Sequence, residues 1–127
     1  FIGSQRTVKD KGLGIQIANW AADFPQPYGF FFSIADGSQI KQIGNTNWGL
    51  LNNDSVNGDI IKMTETDVDG QADLGKSVDK TIMEEAVYIP YVWDKMLYFR
   101  SDRVRNTYVL LGTGGFYDVV NMGVEGS

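Results

Sequence analysis

Asp23 is the residue best placed for chemistry, in the stretch NWAADFPQPYGFFFS from Asn19 to Ser33. A carboxylate set among Trp20, Phe24, Pro25 and Pro27 is costly unless something satisfies it. The residues leave two readings open. In one, the carboxylate takes a cationic group such as an ammonium through a charge-assisted hydrogen bond. Trp20 would then be a flat apolar wall, and Ala21 and Ala22 would let a ligand approach the backbone. In the other, Asp23 caps the turn ahead of the prolines, as an Asx-turn does.

Three other arrangements have simpler accounts. With Gly70 as its sixth residue, a calcium loop would put Glu65, Asp67 and Asp69 at positions one, three and five. Its twelfth position, which needs a bidentate glutamate, holds Lys76, so an acidic interhelical turn is the better account. Gly112 to Gly115, GTGG, lacks the following helix that a phosphate cradle requires and reads as a turn. Glu84 and Glu85 are neighbours, which on a helix point roughly 100° apart and cannot flank one scissile bond.

Composition narrows the field further. The sequence contains no Cys and no His, which removes His- or Cys-based zinc sites, Cys nucleophiles and His general bases. No metal or cofactor is expected. A net charge of −5 argues against nucleic acid, which needs clustered Lys and Arg. With 43% apolar and 13% aromatic residues, the 127-residue chain has enough surface to bury for about one folded domain. It holds no apolar run of about 18 residues that would span a membrane. It starts at Phe1, so a removed N-terminus or a piece of something longer is expected.

The elements that must position Asp23 follow from the pattern. Ser4 to Gly12 is polar and reads as a helix end or connection. Leu13 to Trp20 reads as a buried strand, which puts Asp23 just beyond a strand's carboxyl end, where α/β folds tend to place ligands. Pro25 and Pro27 exclude a helix interior, and a short aromatic helix is expected over Tyr28 to Ala35, closed by Asp36-Gly37. Gly37 to Asn53 is a structured loop. Cap-forming residues then open a helix with Val56, Ile60 and Met63 on one face. Asp67 to Asp73 is expected to break the chain, and a helix over Leu74 to Val87 carries Leu74, Val78, Ile82 and Ala86 on one stripe. From Tyr88 onward the chain is β-rich, with Pro90 marking an edge or bulge. The class is mixed α/β or α+β.

Read end to end, the chain resembles the C-terminal part of the family 5, peptide-type extracellular solute-binding proteins. GLGIQIANWAADFPQPYGFF resembles the family's strand and its Trp-small-Ala-Asp-aromatic-Pro turn. NTNWGLLNNDSVNGDIIKM resembles its loop and helix start. SVDKTIMEEAVYIPYVWDKMLYFRSDRVRNTYV resembles its last long helix and crossing segment, and YDVVNMGV its closing strand. Two departures stand out: Gln26 lies between the prolines where the family often has Asp, and YGFFFS is more aromatic than many versions.

The resemblance implies a mixed sheet with flanking helices, part of a two-lobe, type II periplasmic-binding-protein-like fold. Residues 1–93 would belong to the second, ligand-facing lobe, and residues 94–127 to a crossing segment and tail returning to the first. Roughly Ile89 to Tyr98 would form part of the hinge. The implied function is capture of a peptide or related small solute for an ABC importer. Asp23 would hold the α-ammonium, Trp20 would wall the pocket, and the backbone of Asn19, Ala21 and Ala22 would pair with the ligand. Implied partners are the solute and a membrane permease. The implied location is extracellular or periplasmic, as a lipoprotein, with no catalysis. The alternative is an acidic-cleft, glycosidase-like hydrolase using Asp23. A chain holding only part of such a lobe would expose apolar faces and unpaired edges, so self-association by strand exchange is also expected.

Overall fold

A computed structural model describes residues 10–12, 14–110 and 115–126. Three helices form its body: α1, Pro27–Ala35; α2, Asp54–Met63; and α3, Val68–Glu84. Four two-residue strands follow: β1, Val104–Arg105; β2, Val109–Leu110; β3, Phe116–Tyr117; and β4, Gly123–Val124. They make two antiparallel ladders, with Val104 opposite Val124 and Val109 opposite Tyr117. The mixed α/β class holds, with the β part reduced to these two pairs.

Each helix is fixed by its ends. Pro27 stands in the first turn of α1, where its missing N–H costs nothing. The carbonyls at the other end of α1 are taken by hydroxyls from distant parts of the chain. Thr46 Oγ1 donates to Ser33 O at 2.6 Å and Tyr88 Oη to Ile34 O at 2.6 Å. Helix ends leave such acceptors free, so these bonds bind the loop and the exit of α3 to α1. Asn53 caps α2 by accepting from Ser55 N and Val56 N, and donates to Glu85 at 2.6 Å.

Ile34 and Ala35 of α1, Leu51, Val56, Ile60 and Met63 on and before α2, and Val78 and Ile82 of α3 form the buried core. The face of α2 is the one its spacing predicts. On α3, Val78 and Ile82 are buried and Leu74 is half-buried, but Ala86 lies beyond the helix, exposed, at φ 51°. Gly75 is buried where α3 crosses α1, and a Cβ there would lie 2.9 Å from Pro27 Cβ. The loop before α2 is held by Asn47, fully buried and fully bonded. Its amide donates to Leu51 O at 2.7 Å and Asp36 O at 3.1 Å, and accepts from Leu51 N at 3.0 Å.

Three expectations are corrected. Asp67 to Asp73 does not break the chain: Asp67 is the N-cap of α3, accepting from Gly70 N at 2.9 Å, and the helix starts at Val68. The cap outweighs the helix cost of Gly70, and the turn between helices is confined to residues 64–67. The expected strand over Leu13 to Trp20 is not formed: residues 14–20 have no regular secondary structure and join no ladder among the described residues, outside which Leu13 lies. The same is true of residues 88–100. A strand needs a neighbour for its backbone groups, and no described residue offers one to either segment. The polar start of the chain lies mostly outside the described residues, as do three of the four residues of GTGG. Among the described residues, no helix is long and apolar enough to cross a membrane.

Candidate functional site

The segment 14–22 runs to Asp23 along one side of the helical body. Gln16 and Trp20 are half-buried, while Ile15, Ile17, Ala18 and Asn19 are exposed. Trp20 packs against the core and meets Trp48 edge-on, with ring centroids 5.9 Å apart and planes at 76°. Gln16 Nε2 makes a long contact of 3.4 Å to Trp48 O. Two polar atoms of this face, Trp20 Nε1 and Gln16 Oε1, are buried without a partner. Such orphans normally find one, and each can serve an incoming group, the indole as donor and the amide oxygen as acceptor.

Beyond Trp20, Ala21 is exposed, Ala22 half-buried and Asp23 exposed. The turn that follows is closed by the backbone: Gln26 N donates to Phe24 O at 2.8 Å and Gly29 N to Gln26 O at 3.1 Å. The Asp23 carboxylate accepts nothing and pairs with no cation among the described residues. The turn-cap account of Asp23 is therefore not what the structure shows. Backbone groups of residues 14–22 likewise make no main-chain hydrogen bond to a described residue.

These residues border an open trough of about 1660 Å³ between segment 14–22, α1, α3 and the stretch 87–96. That exceeds the roughly 300–1,000 Å³ of a finished ligand pocket, so the trough is an unfilled space with a candidate site along one wall. Asn19, Trp20, Ala21, Ala22 and Phe24 line it, whereas Asp23, between the last two in the chain, does not. Four consecutive residues thus place an aromatic wall, small side chains and unpaired backbone groups on one edge, and the exposed Asp23 carboxylate follows them in the chain.

Two contributors were not picked out from the sequence. Trp48 fixes Trp20 from a loop 28 residues away, and its one signal was an aromatic residue inside an Asn- and Gly-rich stretch. Tyr88 anchors the trough's far wall, donating to Ile34 O and accepting from Gly49 N at 3.2 Å. Burial raises its pKa above the usual tyrosine value, and hydrogen bonds from Gly49 and Trp48 offset part of that.

No protein-family model matches the chain, and no curated protein matches it. A solved structure does, under the name "Clavulanic acid biosynthesis oligopeptide binding protein 2". It is 41% identical with a TM-score of 0.88, over 97% of this chain and 22% of that one. The fold is that of one part of a peptide-binding protein. The chain spans about a fifth of that neighbour's length, which accords with a trough walled on some sides only. The neighbour is a binding protein by name, not an enzyme.

Proposed function

We propose that this chain contributes the amino-end subsite of a receptor that captures peptides. The observation that carries the reading is the Asp23 carboxylate, exposed and unpaired at the end of an extended segment whose backbone is also unpaired. A peptide laid along residues 19–22 as an added strand gains main-chain hydrogen bonds that ignore its side chains. Its α-ammonium then meets Asp23, and its first side chain meets Trp20. The resemblance to an oligopeptide-binding protein supports this ligand class.

The same reading extends to the whole receptor. It would deliver peptides or related solutes to the membrane permease of an ABC importer, outside the cytoplasmic membrane and anchored as a lipoprotein. Residues 1–93 would lie in the ligand-facing lobe and residues 94–127 in the crossing segment and tail, with 89–98 as part of the hinge. The hydrolase alternative has less support: a glycosidase needs two carboxylates across one bond, and although Asp79, Glu85 and Asp94 also border the trough, the matching structure is a binding protein by name.

The test is titration of the ¹⁵N-labelled chain with trialanine and with N-acetyl-trialanine, followed by amide and indole shifts. The free-amine peptide should move signals of residues 19–23 and of Trp20. Acetylation, Asp23→Asn and Asp23→Ala should each weaken binding by about tenfold or more, as loss of a charge-assisted bond does. Equal binding of the two peptides, or of the variants, would remove Asp23 from the site.

A further inference from the structure

Asn57-Gly58 is the one Asn-Gly pair of the sequence, and nothing in the fold calls for the glycine. It lies inside α2, where glycine is the poorest helix former after proline. Its φ is not positive, and a Cβ on it would meet no atom within 4 Å. What the glycine does change is the chemistry of its neighbour. Without a side chain, its nitrogen can approach the Asn57 side chain unhindered.

Asn57 itself is tied at both ends of its amide. Its Oδ1 accepts from Gly37 N at 2.9 Å, and its Nδ2 donates to Asn52 Oδ1 at 3.0 Å. These bonds join the turn after α1 to the start of α2. Asn57 N is held as well, donating to Asn53 O at 2.9 Å. The approach is close enough that a Cβ on Gly37 would clash with Asn52 Oδ1.

We propose that Asn57 is a site of spontaneous deamidation, kept closed by α2 and opened when the first turns of that helix fray. The Gly58 backbone nitrogen attacks Asn57 Cγ and loses its proton to water. The new bond from nitrogen to Cγ replaces the bond from Cγ to Nδ2, which leaves as ammonia. Water then opens the succinimide at either carbonyl and gives aspartate or isoaspartate. Two features close this path in the fold. Helical ψ, about −42°, turns Gly58 N away from Cγ, and the bonds to Gly37 and Asn52 pin the amide. The products do not fit the place they occupy. Aspartate at 57 can still accept from Gly37 N but cannot donate to Asn52, so two acceptor oxygens face each other. Isoaspartate adds a methylene to the main chain and breaks the register of the helix bonds. The site is independent of the peptide-binding reading, because Asn57 does not line the trough.

The test is incubation of the whole chain in mildly alkaline buffer, with and without denaturing urea, followed by peptide mapping for the added mass unit and for isoaspartate. Conversion at Asn57 should be at least about tenfold slower without urea, since a closed site reacts only from its open fraction. Asn53→Ala removes the cap of α2 and should speed conversion in buffer about threefold or more. In urea, where no helix remains to be capped, the same variant should stay within about twofold of the parent. Gly58→Ala should slow conversion in urea by at least about tenfold, because its methyl hinders the attacking nitrogen. Equal rates with and without urea overturn the proposal, whether α2 is open in the free chain or gives no protection. An unchanged rate in Asn53→Ala without urea, or in Gly58→Ala with it, overturns it too.

Discussion

The helical body and the extended segments are made of similarly apolar sequence and end in opposite states. Ile60 is wholly buried and Ile15 is 90% exposed. The difference lies in where each finds its partners. A helix satisfies its own backbone and needs only one covered stripe, which α1, α2 and α3 provide for one another. An extended segment brings open N–H and C=O groups on both edges and side chains on both faces. It is complete only when a neighbour is paired to it. Residues 27–84 carry their own neighbours, whereas residues 14–22 and 88–100 find no ladder among the described residues. Burial in this chain is thus concentrated in the helices, and unpaired backbone is concentrated in the segments beside them.

Substitutions can break or sharpen that contrast. The largest effect is expected at Ile60, at the centre of the core. Ile60→Ala should cost about 3 kcal/mol in urea unfolding, through lost burial and the cavity left behind. Asn47→Ala comes next at about 2 kcal/mol, because it orphans Leu51 N, Leu51 O and Asp36 O inside the fold. A cost below about 0.5 kcal/mol there would mean that the loop is not part of the helical unit. Tyr88→Phe should cost about 1 kcal/mol near neutral pH by freeing the Ile34 carbonyl.

Tyr88 also sets a pH dependence. Its pKa in the fold is raised above the ordinary 10.0, so the unfolded chain ionises first. The stability it contributes is intact below about pH 10 and declines as pH rises towards the raised value. Thermal melts across that range should show a decline that is smaller in Tyr88→Phe. The smallest change is expected in the extended segment: Ile15→Ala should alter unfolding by under about 0.5 kcal/mol. A loss of several kcal/mol would place segment 14–22 inside the cooperative unit and end the contrast.

Helices α1 and α2 were legible because their signals are local. Pro27 sits in the first turn of α1, Asn53 caps α2, and Val56, Ile60 and Met63 recur at helical spacing. The start of α3 is not legible, because Gly70 among acidic residues looks like a breaker. Only the bond from Gly70 N to Asp67 shows that the same residues form a cap. The apolar pattern of residues 14–20 and 88–100 implies strands. That pattern records a preference for being covered and says nothing of whether a neighbour is present. Trp48 was not legible as Trp20's partner, since 28 residues and a loop separate them.

Asp23 shows the same division. The sequence by itself determined that a carboxylate stands beyond an apolar segment and beside an indole and two alanines. It also determined that no Cys or His accompanies it. It could not choose between a turn cap and a ligand contact, because both use the same residue at the same position. The tertiary structure decided that the turn closes through its own backbone, from Gln26 N to Phe24 O, and that no described cation reaches the carboxylate. A hydrogen bond depends on distance and direction, which residue order does not encode.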